Sequence, residues 1–269
     1  MVFRPFCVEQ IRDVCCYDRL QEFTGGKRGM TDGGLTAMGE FNSLNGGDPC
    51  QKYWDELVRS LPPPGADAAA SVYADIVARY HEPQRHYHTV AHLEHLFRLL
   101  EEERENITDV PALIAAIFFH DAVYDPLSRR NEQDSAGLAA RRLAELGAPE
   151  SFRSRVTDLV LMTKTPEAPA GDRDAMIFLD LDMAIVVAAD DAYRASAQAI
   201  RREYGAYSDH DYAAGRLEFL VLPMLEKERL FYTDGMEKRY AAQARRNLLA
   251  EKTVLERQRA ESRPQAEPD

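Results

Sequence analysis

Histidine is the most unevenly placed residue type in this chain of 269 residues. Six of the seven histidines lie between residues 81 and 120. Within the stretch RHYHTVAHLEH, His88, His92 and His95 are spaced i, i+4 and i+7. On a helix these positions share one face, where imidazoles can approach a single ion or phosphate group. The competing interpretation is an ordinary polar stripe on an amphipathic helix.

Two further motifs place charged groups beside strongly apolar sequence. In FFHDAVYDP, His120 and Asp121 follow an apolar run that begins at Ala112, and in FLDLDMAIVV, Asp180 and Asp182 stand among aliphatic residues. Burying such groups is costly unless they are paired or bind a cation. We therefore expect a buried site, the alternative being helix ends that face solvent.

Together the motifs form an ordered H…HD…D set, in which His92, His120, Asp121 and Asp182 follow one another along the chain. Two imidazoles and two carboxylates leave about two positions of a six-coordinate ion open for water and substrate. This ligand set suits Mn²⁺, Fe²⁺, Co²⁺, Ni²⁺ or Mg²⁺, whereas a structural zinc site more often uses cysteines. A metal-activated water would be a nucleophile near neutral pH.

This ordered set resembles the HD superfamily of metal-dependent phosphohydrolases, whose signature lies on a helical bundle. The similarity is closer to a branch that opens with RHYH and continues with FHDAVYDP, NEQDSA, FLDLDMAI and AQARRNLLAE, over about residues 51–250. No single motif is specific for this branch, but the full set of motifs in this order is. The segment after the HD pair differs from that of the cyclic-nucleotide phosphodiesterases, so their specificity does not carry over.

The resemblance implies His92, His120, Asp121 and Asp182 as metal ligands. YHTVAH is also similar to the YHxxxH motif of the phosphodiesterases, which implies His88 as the acid for the leaving oxygen; exchange of His88 and His92 remains open. Asp182 is preferred to Asp180 because the last aspartate of the family usually precedes an apolar run.

The resemblance also bears on catalysis and on the number of ions. Glu132 is implied as a base or orienting acid, unless it is simply a first-turn acid of a helix. The chain has no histidine between Asp121 and His210. Two-metal members of the superfamily add imidazoles there, so one divalent ion is expected.

Other polar residues near these motifs are candidates for binding substrate. Arg85, Arg129 and Lys164 could neutralise a phosphoryl group, and Tyr124 and Asp125 could line the mouth of the site. Arg129 and Lys164 are as readily explained as ordinary exposed charges, whereas for Arg85 the substrate-binding interpretation is favoured. Arg216, Arg245 and Asn247 are expected to link helices.

The elements that carry these residues are predicted to be helices almost throughout. Apolar residues recur at helical spacing from Gln51 onward, Pro111 suits a first turn, and Gly147 suits a helix end. The segment MIFLDLDMAIVV could be a buried strand, but its length and surroundings favour a helix. We therefore predict an all-α HD-type helical bundle over residues 51–255, with a disordered tail over 256–269.

Residues 1–50 differ in composition from the remainder, since they hold all four cysteines and eight of the fifteen glycines. We expect a poorly ordered extension there, or an over-extended start with Met30 or Met38 as later candidates; a regulatory or targeting arm is the alternative. The cysteine-free remainder excludes a thiolate site and fits a reduced, cytoplasmic setting.

The net charge of −12 argues against long nucleic acid as a partner, and no apolar run is long enough to span a membrane. A homo-oligomer is compatible with the sequence. The expected activity is metal-dependent hydrolysis of a small phosphorylated substrate, with nucleotides first on family grounds. The alternatives are a di-iron oxygenase of the same superfamily and a non-catalytic, metal-stabilised binding module.

Overall fold

The computed structural model describes residues 48–262, and within them the predicted all-α helical bundle is confirmed. The α-helices, in chain order, are α1 (Gln51–Ser60), α2 (Ala66–Tyr80), α3 (Val90–Glu103), α4 (Val110–Phe119), α5 (Asn131–Glu145), α6 (Glu150–Met162), α7 (Arg173–Asp182), α8 (Asp190–Glu203), α9 (Asp209–Arg216), α10 (Leu222–Glu226) and α11 (Asp234–Glu261). Short 3₁₀ segments follow α3 (Arg104–Asn106) and α7 (Met183–Val187), and a π-helical turn (Leu217–Val221) joins α9 to α10. None of these helices is both long and apolar enough to cross a membrane.

Helix α4 is the centre of the bundle because it is apolar on every side. All residues from Ala112 to Phe119 are fully buried, and α1, α3, α5, α6 and α7 pack around them. Asp109 caps the helix by accepting a hydrogen bond from the Ala112 N–H, and Pro111 lies in the first turn as predicted. This burial brings the end of α4, where His120 follows, into the interior.

One predicted helix end and one predicted helix are confirmed by the backbone. Gly147 has a positive φ of 74°, and Ala148 N–H donates to the Leu143 carbonyl, which closes the end of α5 in the Schellman manner. The segment with ambiguous strand or helix character forms α7 and the 3₁₀ turn after it. Because α7 ends at Asp182, this residue lies at a helix terminus close to α4.

The last helix departs from its sequence-based description. Its sequence is charged on most faces and favours a solvent-facing helix, but α11 buries one face that includes Met236, Ala244, Leu248 and Leu255. It also continues to Glu261, so the predicted domain limit at residue 255 lies inside the helix.

The expected links between helices are present. Arg216 pairs with Glu251 at 3.1 Å, Arg245 donates to the carbonyls of Leu225, Lys227 and Glu228, and Asn247 donates to those of Val186 and Ala188. They fasten α11 to α9 and to the segments that follow α7 and α10.

The described chain begins slightly before the predicted domain start. Cys50 is buried, and the carboxylate of Asp48 accepts a hydrogen bond from the Tyr73 hydroxyl at 2.6 Å. Residues 48–50 therefore belong to the bundle. The rest of the expected extension, residues 1–47, lies outside the described residues, as does the end of the predicted tail, residues 263–269.

Candidate metal centre

Three helices bring His92, His120 and Asp182 together. His92 lies in α3, His120 follows α4, and Asp182 ends α7. One possible ligand atom from each lies within 4.8 Å of the other two. The His92 and His120 Nε2 atoms are 3.1 Å apart, and Asp182 Oδ1 is 3.6 Å from His120 Nε2. The group could hold a metal ion.

The orientation of His120 fits a metal ligand. Its Nδ1 lies 2.8 Å from the Ile117 carbonyl oxygen, which can only accept a hydrogen bond, so Nδ1 carries the proton. In its neutral form, which is the form that binds a metal ion, the ring therefore presents the lone pair of Nε2 to His92 and Asp182. A backbone carbonyl that fixes the tautomer in this way is a common partner of metal-binding histidines.

The electrostatics of the group also favour a cation. Burial disfavours the charged His120 ring, but Asp121 and Asp182 outweigh it and raise its pKa to about 9. Burial raises the pKa of Asp182 to about 6, against the lowering effect of His120, and burial together with His120 lowers the pKa of His92. Positive charge is thus stabilised on His120, whereas the His92 ring is held in the neutral form that can donate a lone pair.

Asp121 lies beside this three-residue group. Its Oδ2 is 3.2 Å from His120 Nε2 and 3.7 Å from His88 Nε2. Burial would raise the pKa of Asp121, but His120 and His88 hold it well below its usual range. The carboxylate therefore connects the group to His88, and the side chains of Asp121, Asp182 and His88 form its partly exposed side, at 20%, 23% and 17% exposure.

Asp180 has a different environment from Asp182. Its two carboxylate oxygens accept the backbone N–H groups of Tyr232 and Thr233, at 2.7 and 2.8 Å. Asp180 therefore anchors the chain that enters α11, and the preference for Asp182 agrees with the geometry.

His88 is not on the helix that the spacing predicted. Helix α3 begins at Val90, so His92 and His95 belong to it while His88 lies in the turn before it. In that turn, Glu203 Oε1 accepts the backbone N–H groups of His86, Tyr87 and His88 at 2.7–2.9 Å. These bonds hold the turn against the end of α8.

Glu203 also orients the His88 ring. Its Oε2 lies 2.7 Å from His88 Nδ1 and accepts the Tyr124 hydroxyl at 3.1 Å. Burial would raise the pKa of Glu203, but His88 and the backbone donors lower it to about 2. Since an ionised carboxylate only accepts, His88 Nδ1 carries a proton and Nε2 faces Asp121. The sequence analysis missed Glu203, and nothing in RREY distinguishes it from its charged neighbours.

Arg85 does not contact substrate as predicted, because its side chain is completely buried. Its guanidinium donates to the carbonyls of His88, Asp121 and Ala122, at 3.3, 2.7 and 3.2 Å. Its Nε pairs with Glu82 at 3.1 Å. Arg85 thus ties the turn before α3 to the HD pair and positions both.

Two of the remaining candidates, Tyr124 and Asp125, differ in their burial. Tyr124 is nearly buried, and its ring packs on His88 with centroids 4.2 Å apart, so it supports this histidine. Asp125 is exposed and accepts the Leu127 N–H at 2.9 Å, which stabilises a turn.

Glu132 lies in the first turn of α5, and its charge raises the pKa of Asp182. Arg129 is exposed, and Lys164 donates to the Arg129 carbonyl at 3.2 Å. Glu132 is therefore close enough to the metal centre to act on Asp182 electrostatically. Arg129 and Lys164 lie beside one another.

Comparison with family models, with curated proteins and with solved structures finds no match for this chain.

Proposed function

We propose that this protein is a metal-dependent phosphohydrolase of the HD type that cleaves a phosphoester or phosphoanhydride bond in a small phosphorylated molecule. The observation that carries the proposal is the convergence of His92, His120 and Asp182 beside a histidine, His88, whose ring is held by a buried carboxylate. Nucleotides are the first substrate candidates because of the HD resemblance.

The ligand roles follow from the donor atoms. His92 and His120 offer Nε2 atoms and Asp182 offers Oδ1, a mixed nitrogen and oxygen set that suits a single divalent transition-metal ion or Mg²⁺. Asp121 is the fourth candidate, through Oδ2. A bound ion would supply Lewis-acid charge for the phosphoryl oxygens and would make water a better nucleophile.

In this proposal, a side chain of the protein supplies the proton that the leaving oxygen needs. His88 donates from Nδ1 to Glu203, which fixes the orientation of its ring. A proton on Nε2 then lies at the exposed side of the group, near Asp121, where His88 can pass it to the leaving oxygen. Glu132 is in range to orient water by its charge.

The test is a screen of purified full-length protein, loaded in turn with Mn²⁺, Co²⁺, Ni²⁺, Fe²⁺ or Mg²⁺, against nucleotides and phosphomonoesters. We expect phosphate release with at least one ion, at one ion per chain, and loss of both metal and activity in Asp182→Asn. A loaded protein that hydrolyses no member of the panel would refute the proposal in favour of a binding module. Two iron ions per chain with oxygen consumption would refute it in favour of an oxygenase.

A further inference from the structure

A cleft of about 630 Å³ adjoins the metal centre. One wall is α3, with His92, His95 and Arg98, and the opposite wall is α8. His92 belongs both to the metal centre and to the wall of the cleft, so the cleft adjoins the centre on the His92 side. Its volume is in the range of small-molecule binding sites.

The α8 wall is made of small apolar side chains. Ala192, Ala195 and Ala199 are three and four residues apart and therefore share one face of the helix. Ile185 and Val187, from the 3₁₀ segment after α7, extend the apolar surface. Ala192 and Ala195 are exposed, which shows that their face meets open space rather than packed protein.

The charged residues of the cleft are basic. None of the described residues that line it is acidic, although the chain as a whole carries a net charge of −12. Arg202 precedes Glu203, which holds the backbone of residues 86–88, so Arg202 marks the end nearest His88. Neither Arg202 nor Arg98 has an ion-pair partner within residues 48–262, and each is exposed.

Arg98 marks the other end. It lies six residues beyond His92 in α3, a distance of about 9 Å along the axis at 1.5 Å per residue. Glu102, one turn further, is already paired with Arg239 at 2.7 Å. The α3 wall between His92 and Arg98 is therefore about as long as a two-ring aromatic system, with the Arg98 cation at its far end.

One imidazole nitrogen in the wall also lacks a hydrogen-bond partner. His92 is only 6% exposed, and its Nδ1 is buried without a hydrogen bond to any of the described residues. Ligands of metal ions usually have their second ring nitrogen bonded, so the His92 side of the cleft is incomplete in the protein alone.

We propose that this cleft binds the organic part of the substrate, and that the substrate is a phosphomonoester whose organic group is an extended apolar body, aryl or alkyl, carrying a second negative group that reaches Arg98. The orientation, with the phosphoryl end at the metal centre, rests on the proposed function. The binding of an apolar anion in the cleft does not, and it can be measured without turnover.

The experiment measures binding of 8-anilino-1-naphthalenesulfonate, an apolar aromatic anion, to the full-length protein by fluorescence. Ala195→Trp fills the cleft from α8, and Gln198→Trp adds the same bulk to an exposed position of that helix outside the cleft. We expect Ala195→Trp and Arg98→Glu each to raise the Kd at least about tenfold, and Gln198→Trp to change it less than about twofold. Circular dichroism checks that each variant is folded.

Competition identifies the ligand chemistry. We expect 1-naphthyl phosphate to displace the probe, and inorganic phosphate at the same concentration to leave it bound, because inorganic phosphate has no apolar body. Equal affinity in wild type and Ala195→Trp, or equal displacement by both competitors, would overturn the proposal. If 1-naphthyl phosphate binds in the cleft but the metal-loaded protein does not hydrolyse any phosphoester, the cleft stands and the proposed function fails.

Discussion

Replacing Glu203 by glutamine tests whether this buried carboxylate sets the proton position on His88. The amide oxygen of glutamine can still accept the three backbone N–H groups of residues 86–88. Its NH₂ group, however, would face His88 Nδ1, which must then accept a hydrogen bond. The ring proton would move to Nε2, and the Tyr124 hydroxyl would lose its acceptor. The fold remains, but the His88 tautomer is reversed.

The expected loss of stability can be worked from the pKa. The pKa of Glu203 falls from 4.5 to about 2 in the folded protein. At about 1.36 kcal/mol per unit, folding favours the charged carboxylate by about 3 kcal/mol. Because the lowered pKa belongs to the folded state, this contribution is fully present above pH 4.5 and disappears as the pH falls towards 2. Glutamine does not titrate, so Glu203→Gln lacks it at every pH.

The assay compares urea unfolding of wild type and Glu203→Gln between pH 7 and pH 3. We expect the difference in unfolding free energy to be about 2–3 kcal/mol and constant from pH 7 to pH 5, and to shrink below pH 4. With a substrate in hand, turnover should fall at least about 100-fold while metal content stays unchanged, because His88 is not in the ligand group. Nitrogen NMR of the imidazole reports the tautomer directly.

The control is Asp191→Asn on the same helix, whose carboxylate is 95% exposed. It should leave both stability and tautomer nearly unchanged. If the stability difference for Glu203→Gln did not depend on pH, or if His88 kept its proton on Nδ1, the assignment of Glu203 as the orienting carboxylate would be wrong.

Three other perturbations separate the remaining roles. Asp182→Asn should weaken divalent-metal binding at least about 100-fold by calorimetry, whereas Asp180→Asn should keep it; equal losses would mean that the two carboxylates were assigned incorrectly. Arg85→Lys should cost about 3 kcal/mol of unfolding free energy, because lysine cannot reproduce three donated bonds to buried carbonyls, and a loss below about 0.5 kcal/mol would contradict this. Deleting residues 1–47 should leave the melting temperature unchanged, while extending the deletion through Cys50 should lower it, since this residue is buried.

The sequence predicted the fold well because the helices obey local rules. Helix α4 has no polar residue between Val110 and Phe119, so its central position follows from composition alone. Gly147 and Pro111 mark helix ends for reasons of backbone geometry that need no tertiary information. The desolvation argument correctly selected His120 as buried, since it directly follows this helix.

The supporting residues could not be predicted in the same way. Glu203 lies 115 residues from His88, and its neighbours Arg201 and Arg202 give it the pattern of an exposed helix end. Arg85 was recognised as unusual, but only the fold shows that its partners are backbone carbonyls rather than a ligand. The position of His88 in the turn before α3 was also not predicted, because the carboxylate that holds this turn is distant in sequence.

The carboxylates in the interior and at the metal centre differ in which groups donate hydrogen bonds to them. This difference favours Asp182 as the candidate metal ligand. Glu203 accepts three backbone donors, and Asp174 and Asp180 accept two each. Asp182 has His120 as its close partner and accepts no backbone N–H within residues 48–262. Burial raises the pKa of both Asp180 and Asp182 to about 6, so both would bear charge at neutral pH at some cost. For Asp180 that charge is used to hold the chain before α11, whereas the charge on Asp182 has no structural use that the fold reveals. A half-buried carboxylate that lies beside two imidazole nitrogens and accepts no backbone N–H among the described residues is best explained as a candidate ligand for a cation.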